Sequence, residues 1–567
     1  MFIMPPPTRK KPNILFVNLP NVALEDIETQ PSAFDSFHVP KLYLPLGILY
    51  LSSYIKKYSH VGRVGMADYA LHLGRIRDSR SMNDFIAEVA KEAADYKPEM
   101  ILVSLLFSIS KDFGLRAIRV LSQLWPDATV LVGGTHATND FVGLLDNEDI
   151  DYVVRGEGEK PLSEFIRRHP ISRDIDIPGV YSRKNRSSGK PPETAEFIQN
   201  LDKIPFPDWD LVDIQTYTQA RYVALTGREA RKNTLSSPIL TSRGCPYLCT
   251  YCSQHTVHGR RMRYRSIKNV LSEIKVLNSR FHVTTFVPND DLFISAKKRD
   301  IELLSRIRKL GIPEIEFQFP NGLHINSLDP EIMEALIDVG TKIVHLAVES
   351  GSEHVQKKLI KKNVDLNKAE EVVSYFRKKE VFVRCYFILG FPDETRLQMR
   401  QTIDYAKGLG ADWCDFFLAV PLIGSEMYDR FAEKGCFSGK NEKWSKSHVM
   451  DRCFDTEEIT AEEIKELAYR ANLECNFVGN INLKTGNFRK AASLFEDIAE
   501  RYPFHLFAWC ALLKCYKGMK EDTKTTEVEA QIKALIEADS LSKEMCRKHG
   551  DLMEKMDCVS FGKGSLL

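Results

Sequence analysis

The chain has 567 residues, 43% of them hydrophobic and 27% charged, with 78 Lys plus Arg against 77 Asp plus Glu. That length exceeds a single hydrophobic core and predicts three or four domains, while the near-zero net charge gives no whole-chain case for binding nucleic acid or an anionic membrane. No run of 18 apolar residues marks a membrane span, and the opening "MFIMPPPTRKKPNILF" lacks the apolar core and small-residue cleavage site of a secretory signal. A cytoplasmic location is expected, where thiols stay reduced and clustered cysteines favour metal or redox work over disulfides.

Five short apolar runs come first: "NILFVNLP" (13–20), "VGMADYA" (64–70), "MILVSLLFS" (100–108), "TVLVGGTHAT" (129–138) and "YVVRGEGE" (152–159). Amphipathic stretches such as "DFGLRAIRVLSQLW" (112–125) separate them. Continuous apolar strands alternating with helices predict a parallel sheet covered on both faces, here an α/β flavodoxin-like doubly wound domain. Such sheets bind ligands at the carboxyl ends of their strands, where Ser104, Ser108, Gly133, Gly134, Thr135, Gly156 and Glu157 fall. The Gly133-Gly134 pair either lets a ligand approach the backbone or makes a tight turn.

The segment "SRKNRSSGKPPET" (182–194) reads as a linker or exposed hairpin, and in "LDKIPFPDWDLVD" (201–213) two prolines block regular structure. From 237 the alternation resumes with "PILTSRG", "TTFVP", "EIEFQF", "KIVHLAVES", "VFVRCYFILG" and "CDFFLAVP", which predict a partial (β/α)6 barrel with its active loops after the strands. Beyond about 456 the pattern is helical, and residues 485–518 resemble one tetratricopeptide unit through Gly486, Ala492, Phe495, Pro503 and Ala508. One unit predicts a capping helical domain rather than a partner-binding array. The expected domains are 1–165 (doubly wound), 166–236 (linker), 237–440 (barrel) and 441–567 (all-α).

"SRGCPYLCTYCSQ" (242–254) follows the first barrel strand and puts three of the 12 cysteines, Cys245, Cys249 and Cys252, into eight positions. Zinc normally takes four ligands from paired C-x2-C knuckles, and the second knuckle is missing here, although His255 and His258 are possible replacements. A 4Fe–4S cluster normally takes four cysteines; with three, one iron keeps an open position. A loop with no metal remains the third reading.

C-x3-C-x2-C after the first strand of a βα barrel, with Tyr251 before the last cysteine, resembles the radical S-adenosylmethionine (SAM) superfamily. The resemblance implies a 4Fe–4S cluster on Cys245, Cys249 and Cys252, whose open iron chelates SAM. One electron then cleaves SAM to methionine and a 5′-deoxyadenosyl radical that abstracts hydrogen from substrate. Tyr251 resembles the aromatic bordering adenine. "AVESGS" (347–352) resembles the fourth-strand motif, implying that Glu349 accepts bonds from the ribose, with Ser350 beside it or acting as a helix cap. "FILGFPDET" (387–395) resembles the fifth-strand motif, where Gly390 and Pro392 shape the adenine loop. The usual Gly-Gly-Glu of the second strand is absent; "VPNDDLF" (287–293) stands there and offers Asn289, Asp290 and Asp291. An acidic pair capping the next helix accounts for them equally well.

A doubly wound domain followed by this barrel resembles the cobalamin-binding (class B) radical SAM enzymes. Cobalamin is thereby implied at Ser104, Ser108, Gly133, Gly134, Thr135, Gly156 and Glu157. The cobalt-ligating Asp-x-His-x-x-Gly of cobalamin mutases is not matched, because Asp68, His72 and Gly74 have different spacing; His72 reads as a surface histidine and His136 as a polar loop residue. The class implies methylation of an unactivated carbon through methylcobalamin, or else a radical cyclisation, coupling or rearrangement, and an electron donor such as flavodoxin or ferredoxin. A non-catalytic cobalamin- or redox-sensing adaptor is the reading from another class. Nothing in the sequence marks the substrate as small molecule, lipid or peptide.

Overall fold

The computed structural model describes residues 11–29, 42–169, 176–184, 193–219, 235–438 and 444–556. Its first sheet has six strands: β1 (Ile14–Asn18), β2 (Val64–Asp68), β3 (Met100–Ser104), β4 (Thr129–Gly133), β5 (Tyr152–Val154) and β6 (Val180–Ser182), in the order β2-β1-β3-β4-β5-β6. The first five are parallel and follow the flavodoxin-like order. All five residues of β1 are buried, as expected of a strand covered on both faces. One covering helix, Lys111–Leu124, turns Phe113, Ala117, Ile118 and Leu121 inward. The short strand β6, antiparallel to β5, is not foreshadowed by the apolar runs. The polar segment after it lies largely outside the described residues, as does the stretch just before the barrel.

Register brings the carboxyl ends of the sheet into line. Asn18 pairs with both Asp68 and Ser104, and Ser104 pairs with Gly133, so the candidate ligand positions share one edge.

The barrel opens with β7 (Leu235–Ile239). A small antiparallel ladder follows, β8 (Ser242–Arg243) with β9 (Arg263–Tyr264). Strands β10 (Val283–Pro288) and β11 (Glu316–Phe317) pair in the order β11-β10-β7, and β12 (Ile343–Glu349), β13 (Phe382–Leu389) and β14 (Trp413–Leu418) form a second parallel triple. Among the described residues a single bridge, Leu323 with Leu346, links the two halves. The first strand ends earlier than "PILTSRG" suggests. Asp290 accepts bonds from Thr241 N at 3.1 Å and Ser242 Oγ at 2.6 Å, which draws "SRG" out of the parallel register and into the ladder.

Strand β13 shows how the barrel is layered. Val383, Cys385, Phe387 and Leu389 are buried, while Phe382, Arg384, Tyr386 and Ile388 alternate with them and are only part-buried. Helices beyond the barrel include Ala461–Asn472, Phe488–Arg501, Leu506–Met519, Asp522–Ala538 and Ser540–Lys555. The second and third fall within residues 485–518 or at their edge. Their core takes in Trp413 and packs against Phe382, at the starts of β14 and β13.

Candidate active site

The loop carrying the three cysteines is fixed by main-chain contacts. Gly244 has φ 92°, and a Cβ there would lie 2.4 Å from Arg261 O, so only glycine fits. Its N–H donates to Asp291 Oδ2 at 2.8 Å. Further along, Thr250 N donates to Ile360 O at 3.1 Å and Thr250 O accepts from Met427 N at 2.8 Å. Cys245, Cys249 and Cys252 are part-buried free thiols. Burial raises all three pKa values, that of Cys252 to about 11; the neighbouring Cys249 adds to the rise at Cys245 and Cys252. These are close-set soft donors suited to iron. Among the described residues no three donors already stand as a formed metal site.

Glu349 ends β12 beside this loop. It is buried, and its φ of 71° at a register shift marks strained backbone. Its Oε1 accepts from the Tyr251 hydroxyl at 2.8 Å and from Lys362 Nζ at 2.6 Å. The Tyr251 ring stands 6.2 Å from that of Phe391, so the Gly390–Pro392 loop adjoins the same corner. Gly390 takes φ 84°, and Pro392 is buried. Ser350 pairs its hydroxyl with Thr402 at 2.8 Å and receives the N–H of Ser352, so it ties down the helix Arg396–Gly408 and the turn after β12.

Asp290 spends its carboxylate on Thr241 and Ser242; burial lifts its pKa to about 6. Asn289 is exposed and lines a separate small pocket with Leu44 and Tyr217. The acid that meets the cysteine loop is Asp291, which pairs with His258 Nδ1 at 2.8 Å. Burial pushes its pKa up, but the bonds from His258 and Gly244 hold it below the ordinary range.

A cavity of about 270 Å³ lies between the sheet edge and the cysteine loop. Ser104, Gly133, Gly134, Thr135, Gly156 and Glu157 line it from the sheet side; Arg243, Gln254, Val257 and His258 line it from the barrel side. Gly134, at φ 112°, lies where a Cβ would come within 2.5 Å of Leu105 O. Leu106, 46% exposed, stands on the cavity wall, so a ligand larger than the cavity can extend outward. A glycine floor with aliphatic walls fits a flat macrocycle such as a corrin.

Ser108 is not among the lining residues. Its hydroxyl bonds His136 Nδ1 at 3.0 Å, and His136, 4% exposed, also faces Asp140 at 3.3 Å. His72 is half-buried, near the carboxylate of Asp68.

Four buried charges join the two units beside the cavity. Glu157 takes two bonds from Arg263, at 2.6 and 2.9 Å, and faces Arg243 at 3.2 Å; Glu159 takes Arg243 at 2.6 Å. Burial raises the Glu157 pKa, yet the two guanidiniums hold it below the usual range. Of this cluster only Glu157 is marked in the sequence, by its place after a strand; Glu159, Arg243, Arg263 and Lys362 carry no motif signal. Lys361, adjacent to Lys362, is exposed on the surface, and only the fold separates the two.

Comparisons with known proteins agree with this arrangement. Residues 239–406 match the Radical SAM superfamily and residues 37–166 match the B12 binding domain. An uncharacterized methyltransferase of Pyrococcus horikoshii is 26% identical over 75% of this chain and 86% of its own. The cytidylyl-2-hydroxyethylphosphonate methyltransferase of Streptomyces wedmorensis is 25% identical over 83% and 91%. An anaerobic magnesium-protoporphyrin IX monomethyl ester cyclase of Cereibacter sphaeroides is 23% identical over 69% and 60%. The fold also matches the radical SAM methyltransferase TsrM of Kitasatospora setae, with TM-score 0.57 and 18% identity over 75% of each chain. The chain belongs to the cobalamin-binding radical SAM enzymes. Its cofactors are accordingly a 4Fe–4S cluster, SAM and cobalamin. No helix among the described residues is long and apolar enough to cross a membrane.

Proposed function

We propose that this enzyme transfers a methyl group to an unactivated carbon of its substrate, with Cys245, Cys249 and Cys252 holding the cluster. The observation that carries the reading is the shared cavity: Gly133, Gly134 and Gly156 face Gln254 and Val257, which follow Cys252 in the same loop. When bound, SAM on the cluster supplies a carbon radical and cobalamin supplies the methyl group. Tyr251 and Glu349 would then orient the ribose and adenine end of SAM, with Gly390 and Pro392 closing over it. Ser104, Thr135 and the three glycines would cradle cobalamin. The buried ion cluster of Glu157, Glu159, Arg243 and Arg263 closes the side of the cavity to water. A one-electron donor such as a flavodoxin or ferredoxin, and a cytoplasmic setting, belong to the same reading.

The cyclase relative supports a second outcome, radical ring closure without methyl transfer on the same residues. The test is anaerobic reconstitution with iron, sulfide and cobalamin, followed by reductant and SAM. Near-stoichiometric cobalamin, and 5′-deoxyadenosine that is lost in Cys249→Ala, support the reading. Deoxyadenosine without bound cobalamin removes methyl transfer. A cluster-loaded protein that makes none overturns the radical assignment.

A further inference from the structure

Among the described residues the bulkiest fully buried side chain is a cation, Arg452, at 0% exposed. It lies beyond β14, outside both regions matched by the family profiles. Its Nη1 donates to Gly390 O at 3.0 Å and its Nη2 to Ile459 O at 3.2 Å. The guanidinium rests over the Phe454 ring at 5.1 Å. On the amide side of the same glycine, Glu394 Oε2 accepts from Gly390 N at 2.6 Å and from the next amide, Phe391 N, at 3.0 Å. Gly390 is therefore held at its N–H by an acid and at its C=O by a base. A Cβ at that position, already strained at φ 84°, would stand 2.1 Å from Ile464 Cδ1 and 2.7 Å from Arg452 Nη1, so both side chains would have to move.

A buried guanidinium is costly unless its donors are used. Arg452 directs one of them at a single carbonyl of the loop that adjoins Tyr251 through Phe391. We infer that Arg452 is a positioning residue for SAM: it fixes the Gly390–Pro392 loop in the shape that receives the adenine, so the segment after the barrel completes the cofactor site. The inference rests on the proposed placement of SAM against this loop. Arg452 touches no cofactor and acts only through Gly390.

The test compares three full-length variants carrying the reconstituted cluster. SAM affinity is measured by equilibrium dialysis, and the SAM-induced change in the electron paramagnetic resonance spectrum of the reduced cluster is recorded beside it. Arg452→Met is expected to weaken SAM binding at least tenfold with iron and cobalamin content unchanged, and to reduce the spectral change at a fixed SAM concentration. Arg452→Lys, which can reach one carbonyl but not two, should recover part of the affinity. Ile464→Ala loosens packing at the same glycine without removing its hydrogen bond, and should lower Tm while leaving SAM affinity within about twofold. Equal losses of affinity in Arg452→Met and Ile464→Ala would overturn the inference, because packing alone would then explain both. Wild-type affinity in a folded Arg452→Met would also overturn it. Failure of the wild-type protein to bind SAM would instead defeat the functional reading on which the inference stands.

Discussion

Glu349 and Lys362 meet at 2.6 Å with each side chain 7% exposed, and Tyr251 from the cysteine loop shares the same carboxylate oxygen. Removing one member of a buried pair leaves the other charge uncompensated, at a cost of about 3–5 kcal/mol. Lys362→Met should therefore lower the denaturation midpoint sharply. Lys362→Met combined with Glu349→Gln should recover part of the loss, because no lone charge remains. Urea unfolding of the four proteins in a double-mutant cycle measures the coupling. A recovery near zero would show that the pair contributes by shape rather than charge.

The two glycines at the cavity floor should separate folding from ligand binding. Gly134→Ala places a methyl against Leu105 O at a positive φ, so it should destabilise the protein by about 1–3 kcal/mol and lose cobalamin as a consequence. At Gly133 the nearest atom to a new Cβ is Val154 O at 3.7 Å, an ordinary contact. Gly133→Ala should keep its Tm and still bind cobalamin more weakly, because the methyl enters the cavity. Thermal unfolding and cobalamin absorbance per chain distinguish the two effects.

Glu157→Gln should strip the charge that faces Arg243 and Arg263 while keeping the side-chain shape. Arg243 would keep Glu159, but Arg263 would be left with only the carbonyls of Ile198 and His258, and a loss of about 3–5 kcal/mol is expected. The damage should be local to the contact between sheet and barrel. Limited proteolysis is predicted to cut sooner between residues 193 and 219, and bound cobalamin should exchange faster with free cobalamin. Unchanged exchange in a destabilised variant would show that the cluster does not control access to the cavity.

Two buried groups should pull stability down at opposite ends of the pH range. Burial holds Glu394 protonated up to about 8, whereas in the unfolded chain it ionises near 4.5. The native state then keeps a proton the unfolded state has lost, so stability falls as pH rises from about 4.5 to 8. His324 is buried and stacked on Tyr247 at 4.0 Å; burial first, then Lys362 and Lys368, lowers its pKa to about 3 against 6.5 unfolded. The unfolded chain takes up that proton first, so stability falls as pH drops from 6.5 toward 3. Glu394→Gln should flatten the alkaline side of the curve and His324→Gln the acid side. Denaturation midpoints of the cluster-free proteins between pH 5 and 8 check both signs.

What could be read from the sequence was what lies close together along the chain. The three thiols fall within eight positions, and the apolar runs that became β1 to β5 each sit inside a single stretch. Gly133, Gly134 and Gly156 were legible because they end a strand or fall within two residues of its end. Contacts across long separations were not. Arg263 and Glu157 are 106 residues apart, Arg452 and Gly390 are 62 apart, and their residue types are common on any surface. Asp290 shows the limit from the other direction. It stands where a cofactor contact was expected, but three polar groups from Thr241 and Ser242 occupy its carboxylate. Strand β6 is three residues long and follows no apolar run, so only its pairing with β5 reveals it.

The ion cluster at the seam also bears on how such proteins can be recombined. A sheet domain grafted from a relative would bring its own residues at positions 157 and 159 against an unchanged Arg243 and Arg263. With two buried guanidiniums to satisfy, the transplant would succeed only if the donor carries acids at both places or the recipient is altered to match. The two halves of this chain are thus a paired lock, and shuffling libraries cut near residue 200 should yield working hybrids only where the residues brought to 157 and 159 match in charge those brought to 243 and 263.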